Sequence, residues 1–231
     1  MASEHDAFPR ALSLAVHELR TPVTVATGYL RMLLREQGGP ITDRQRQMLE
    51  EAERSCGRIN ALITELSELG KLTAGEISPP TVTFNLAALV AEVASNMHEG
   101  EDRGIHVEVR APEPVVVAGD RARLGAALRA LVHAALRERA EPGGVVVQCS
   151  TVADGDRPWA VVTVGDDALT PALIHPAHTS APPPFDEWRG GLGLALPVGR
   201  RVIEAHGGAV WSAPGNPRAG SALRLPLVRD L

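Results

Sequence analysis

Residues Leu14-Ala15-Val16-His17-Glu18-Leu19-Arg20-Thr21-Pro22 hold the densest chemistry in the chain. A histidine followed directly by a carboxylate can be kept neutral and act as a nucleophile, with Glu18 taking the proton as a phosphoryl group arrives. Thr21, four residues on, shares a helix face with His17 and could hold a water that reverses such a step. Pro22 has no N–H for the Glu18 carbonyl and crowds that turn, so a helix through it is expected to bend. By position alone His17 is a solvated surface histidine; its neighbours give it a chemical part. Far downstream, Arg189-Gly190-Gly191-Leu192-Gly193-Leu194 leads into a helical pattern. Glycines there let backbone N–H groups meet an anion at a helix N-terminus, and they also serve plain helix–strand packing. His175 and His178 have no third ligand at a useful spacing, so no metal site is expected.

The elements that must position these residues follow from periodicity. Leu12, Ala15, Leu19, Val23, Ala26, Leu30 and Leu33 recur at threes and fours and predict one long helix with His17 opposite its apolar stripe. Gly38-Gly39-Pro40 stops it, and Thr42 or Asp43 can cap a second helix. That helix carries Leu49, Ala52, Cys56, Ile59, Ile63, Leu66 and Gly70 down to Lys71. The two make an antiparallel hairpin with half its apolar surface uncovered, and a second copy would cover it as a four-helix bundle. A homodimer is expected.

The composition changes at Ser78-Pro79-Pro80. Beyond it, β-branched runs at 81–84, 105–109, 115–117, 145–148, 160–164, 209–212 and 222–225 alternate with helical patterns at 86–97, 121–139 and 192–206. This predicts an α/β sandwich, dividing the chain into a hairpin over residues 1–75 and a sandwich over 76–231. Pro171 to Arg189 is rich in proline, alanine and histidine without periodicity and reads as a mobile loop or lid, anchored by Phe185 and Trp188.

The 231 residues carry a formal charge of −5 and no dense Lys/Arg block, which argues against nucleic acid as a partner. No apolar run approaches the roughly 18 residues of a membrane span, and Met1 to Arg10 lacks a signal-peptide core. Cys56 and Cys149 form no metal or redox spacing and fit two small buried thiols in a reducing cytoplasm. The two segments use up the chain, so any input is expected from a partner protein, such as a separate sensor or kinase, or from a segment missing from this sequence.

His17-Glu18-Leu19-Arg20-Thr21-Pro22 resembles the phospho-acceptor box of sensor histidine kinases, and Arg58 to Ile63, with Leu66, Leu69 and Ala74-Gly75, is similar to that family's second dimerisation helix. The resemblance implies a dimeric hairpin bearing the histidine, an ATP-binding α/β sandwich, and phosphoryl transfer to an aspartate on a response-regulator receiver domain. By match, His17 is the phospho-acceptor, Glu18 the acid/base and Thr21 the phosphatase-motif residue. Asp120, Arg123, Leu124 and Leu128 resemble the lead-in to the family's asparagine box, whose second asparagine binds the magnesium of Mg-ATP. Here those positions are Ala130 and Ala134, which have no oxygen to offer a hard cation; the basic residue beyond is Arg137. His133 adjoins the magnesium position, and its nitrogen is a poor ligand for that ion. Asp166 matches the aspartate that reads adenine, or it merely caps a loop, and the two glycines that follow it in the family are Ala168 and Thr170. The glycine run, with Gly191 and Gly193 at the phosphates, matches well. These features imply either a phosphorelay protein that has lost most ATP binding, an active autokinase with divergent boxes, or a non-catalytic dimeric binding module.

Overall fold

A computed structural model of the chain describes residues 4–75, 82–153, 158–179 and 181–228. They fall into two compact units, Met1–Ile77 and Ser78–Leu231. The Ser78-Pro79-Pro80 stretch lies outside the described residues.

The first unit is a pair of 31-residue helices, α1 (Glu4–Leu34) and α2 (Asp43–Thr73). α1 is continuous through Pro22. Thr42, not Asp43, caps α2: its hydroxyl accepts from the Gln45 N–H while the Gln45 side chain accepts from the Thr42 N–H, a reciprocal pair that satisfies two otherwise orphaned donors. Arg46 closes the turn from the other side, donating to the Leu34 carbonyl at 3.2 Å and to Glu36 at 2.6 Å. The helices run antiparallel. Gly70 near the end of α2 lies over Leu12 near the start of α1, where a Cβ would stand 3.3 Å from the leucine, and Arg31 pairs with Glu53 at 2.8 Å.

The stripe that α1 turns towards α2 differs from the expected one. Val16 and Thr27 are buried and Leu12, Val23, Leu30 and Leu34 half-buried, whereas Ala15, Leu19, Ala26 and Leu33 are exposed. Thr27 can be buried because its hydroxyl donates to the Val23 carbonyl at 2.7 Å. α1 therefore carries two adjacent apolar stripes, one spent on α2 and one facing solvent. On α2, Ile63 is buried but Ile59 is exposed.

The second unit is a mixed sheet with helices on it. Strands β1 (Val82–Asn85) and β3 (Val116–Gly119) form a two-stranded antiparallel ribbon. β2 (Ile105–Arg110), β4 (Gly143–Val152), β5 (Trp159–Gly165), β6 (Ala209–Ser212) and β7 (Gly220–Pro226) make a five-stranded sheet in the order β2-β4-β5-β7-β6, with only β2 and β4 parallel. α3 (Leu86–Ser95), α4 (Arg121–Glu138) and α6 (Ala195–Ala205) pack on the sheet and on one another. Gly199 on α6 lets the helices close up, since a Cβ there would meet the Ala127 backbone at 3.3 Å. Leu124, Leu128, Leu136, Val162, Val164 and Leu223 are buried, an aliphatic core that suits a chain with 3% aromatics.

The stretch from Pro171 to Arg189 is not a structureless loop. Residues Thr170–Ile174 form a short helix, α5, followed by a 3-10 turn at His175–His178. Leu173 and Ala177 are fully buried in a cluster with Val161, Trp211 and Ala222. The Trp211 indole N–H donates to the Leu173 carbonyl at 2.9 Å, and Arg224 donates to the carbonyls of Ala177 and Thr179. Packing against the sheet supplies what the local pattern lacks. Phe185 anchors the end of this stretch as expected, but Trp188 is 71% exposed and anchors nothing. Both cysteines are free; Cys149 is buried and its thiol pushed up to about 12 by burial, while Cys56 is only half-buried. No described helix is long and apolar enough to cross a membrane.

Candidate functional site

His17, Glu18 and Thr21 are all exposed on α1, and His17 makes no hydrogen bond to another described residue. Val16 and Leu12 point at α2, so His17, about 100° further round the helix than Val16, looks away from that interface. Its imidazole is open to a large partner, and Glu18 lies beside it on the chain. The Glu18 carbonyl has no N–H to accept from Pro22, which leaves an acceptor on this part of α1.

In the second unit the residues to follow are those on α4 and on the turn from Arg189 to Leu194. Asp120 caps α4, accepting from the Arg123 N–H at 3.0 Å and pairing with the Arg123 guanidinium. The Asp120 N–H donates to His206 Nε2 at 2.9 Å, which ties the start of α4 to the end of α6. Arg103 closes the other end of α4 on the Leu136 and Arg139 carbonyls. Held this way, α4 presents Ala134 and Glu138, one turn apart, to the glycine run.

Gly190 lies directly on Ala134. A Cβ on Gly190 would stand 3.1 Å from both Cα and Cβ of Ala134, and its φ of +72° is in the left-handed region, so glycine is required twice over. The Gly190 N–H donates to one Glu138 oxygen at 3.1 Å, and Arg189 donates to the other at 2.8 Å. Arg189 also donates to the Pro217 carbonyl at 3.1 Å, the Arg218 carbonyl at 3.4 Å and the Ser221 hydroxyl at 3.0 Å. Its side chain is 0% exposed and that of Glu138 9%. Burial raises the Glu138 pKa against the pull of Arg189, and burial lowers that of Arg189 against the pull of Glu138.

Asp166, at the end of β5, is paired with Arg139 at 3.2 Å, and Asp167 is paired with Arg110. Where two glycines would leave a free loop, Asp167–Leu169 forms a 3-10 turn that runs straight into α5, with Thr170 buried. A cleft of about 280 Å³ remains beside Asp166, lined among others by Ala135, Val145, Gly165, Arg139 and Arg218. Gly191 and Gly193 are both left-handed, at φ +59° and +62°, but neither lines that cleft.

Comparison with known proteins agrees with this layout. The His Kinase A phospho-acceptor domain matches residues 10–75. The cell-division control histidine kinase PdhS of Brucella abortus is 28% identical over 223 residues, covering 90% of this chain and 21% of the relative. The Brucella ovis protein of the same name is 27% identical over the same share. The chain is similar to sensor histidine kinases, and its residues 10–75 carry the match to their phospho-acceptor domain. It spans about a fifth of the length of these relatives. Among solved structures, ShkA, full length in complex with AMPPNP, superposes with a TM-score of 0.70 at 23% identity, covering 96% of this chain and 46% of that one. The Acinetobacter baumannii histidine kinase AdeS gives 0.57 at 19% identity, covering 92% and 98%. Both share the fold.

Against the pattern of those kinases, the expected residues are unevenly placed. His17, Glu18 and Thr21 share one exposed stretch of α1. Asp166 and Gly191 do not line one cavity, and Arg137 faces Glu99, 3.9 Å away, as well as Gly191. His133 meets Glu99 rather than a metal position, and among the described residues no cluster of three potential metal ligands exists. Two residues escaped the sequence reading: Glu138 and Arg189. The available signal was that Glu138 stands four residues after Ala134, on the same face of one helix, with a basic residue immediately before the glycine run.

Proposed function

We propose that the chain is a two-component relay protein in which His17 is phosphorylated and passes its phosphoryl group to an aspartate of a response-regulator receiver domain, while ATP binding by its own second unit is weak or lost. Gly190 seated on Ala134 carries this reading. In a nucleotide-binding histidine kinase that region holds magnesium and phosphates; here it offers no oxygen from Ala130 or Ala134, and the nearest carboxylate, Glu138, is already bound on both oxygens. The residues present do not fit a magnesium-bound triphosphate.

The chemistry left to the chain is at His17. One ring nitrogen attacks phosphorus as the donor's P–O bond breaks, and the proton on the other nitrogen passes to Glu18, leaving a neutral phosphoimidazole. An aspartate oxygen of the receiver then attacks, the P–N bond breaks, and the imidazole recovers its proton. Thr21 positions the water that removes the phosphate by hydrolysis. The phosphate comes from a partner kinase or, in reverse, from a phosphorylated receiver. Two copies pair through the hairpins, and the work is done in the cytoplasm.

Titration of the unmodified chain with Mg-ATP in a calorimeter is expected to give no binding isotherm at micromolar concentrations. Phosphate that is acid-labile and base-stable is expected on the chain isolated from cells and absent from His17→Ala. Micromolar Mg-ATP affinity would overturn the reading. It would favour the second one, an active autokinase with divergent boxes, which draws on the cleft beside Asp166 and on the AMPPNP held by ShkA.

A further inference from the structure

The glycine-rich turn of the second unit has the features of an anion site: a left-handed glycine, a backbone N–H directed at a negative charge, and an arginine beside it. The anion is the chain's own. Glu138 holds the Gly190 N–H on one oxygen and the Arg189 guanidinium on the other, and Arg189 spans from there to the Pro217 and Arg218 carbonyls and to Ser221 on β7. Phe185 lies behind the guanidinium, its ring centre 6.0 Å from the central carbon.

This pair differs from the ion pairs that decorate the surface. Arg31–Glu53 and Arg54–Glu51, for example, leave 63% of each arginine side chain in water and contribute little. Arg189 has no exposed side-chain surface, and Glu138 almost none. Such burial is costly unless geometry is demanded, and here one side chain ties together three separated segments: the end of α4, the glycine turn and the 217–221 stretch.

We propose that Glu138 and Arg189 form an internal lock, in which the Glu138 carboxylate takes the place of a bound anion and holds the glycine turn closed on α4 without nucleotide. The lock rests on the reading above only in treating this turn as the one that faces phosphate in nucleotide-binding relatives. It makes the closed turn a permanent feature, so that a partner reading this face meets one shape whether or not ATP is present.

Hydrogen exchange on the full chain, read by mass spectrometry over residues 186–195, tests it. In the unmodified chain these amides are expected to be protected, with rates unchanged by millimolar Mg-ATP. Arg189→Ala and Glu138→Ala are each expected to speed exchange there by about tenfold or more, because charge-assisted bonds holding the turn are lost, while peptides from β5 keep their rates. Formate or acetate, filling the space of the missing carboxylate, is expected to slow exchange in Glu138→Ala and to do nothing for Arg189→Ala. If Glu138→Ala does not fold, Glu138→Gln decides the matter: it keeps one acceptor for Gly190 but not the charge, and intermediate rates are expected. Unprotected amides in the unmodified chain, or unchanged rates in the foldable variants, would refute the lock. Micromolar Mg-ATP affinity with the turn protected would refute the relay reading and leave the lock standing.

Discussion

Glu138 and Arg189 are each driven towards their neutral forms by burial, and each is drawn back by the other. When desolvation outweighs attraction on both partners, a pair specifies an arrangement more than it adds stability. The pH dependence follows. The folded chain holds the Glu138 proton to a higher pH than the unfolded chain does, so the unfolded state is the first to ionise as pH rises. Stability contributed through Glu138 is therefore greatest below the ordinary carboxylate range and falls as pH climbs through the raised pKa. Urea midpoints measured between about pH 4 and 7 are expected to show this decline in the unmodified chain relative to Glu138→Gln, which cannot titrate there. A difference that grows with pH would mean that the attraction of Arg189 prevails. His17 was legible as chemistry because its partners are its sequence neighbours; Arg189 and Glu138 are 51 positions apart and carry no local mark of their pairing.

Among the elements, α4 shows how a helix can keep its periodicity while the site it serves changes. Its apolar positions Leu124, Leu128, Leu131 and Val132 are buried as the pattern requires, and its boundary at Asp120 is set by a cap that could be read from the sequence. The Ala134 face could not be read in the same way, because closure depends on Gly190 arriving from a distant turn. The 171–189 stretch hides its structure for a related reason: α5 is held by contacts to Trp211 and Val161, not by its own propensity. This makes a specific expectation for Ala134→Asn, the change that would restore an oxygen at the magnesium position. The asparagine side chain has to grow from a Cβ that already packs so closely on Gly190 that a Cβ added to the glycine would stand 3.1 Å from it. Overpacking of this kind costs about 1–3 kcal/mol. The variant is expected to lose that much stability in urea denaturation and to gain no calorimetric Mg-ATP binding. Recovery of nucleotide binding by this one substitution would show that the turn opens readily and that only the ligand atom is missing.

At the scale of the whole molecule, the hairpin poses the outstanding physical problem. Its two helices bury Val16, Thr27 and Ile63 between them, yet Leu19, Leu33, Ile59 and Leu62 are each at least 40% exposed. An uncovered apolar stripe of this kind marks a surface that meets a partner. The inner and outer stripes of α1 merge in the sequence pattern because Ala15, Leu19, Ala26 and Leu33 sit only about one residue's rotation from Leu12, Val16, Val23 and Thr27. Separated, the outer stripe has the spacing of a bundle interface, and a second hairpin related by a twofold axis would present the same residues back to it. His17 would stay outside such an interface, since it points away from both stripes. Sedimentation of the unmodified chain at tens of micromolar is expected to give twice the 24.5 kDa chain mass. Leu19→Lys combined with Leu62→Lys places charge in the outer stripe without touching the Val16 and Ile63 contacts, so the variant is expected to sediment as a single chain with its helical circular-dichroism signal largely kept. A unmodified chain that sediments at the single-chain mass would mean that the outer stripe is reserved for a different partner.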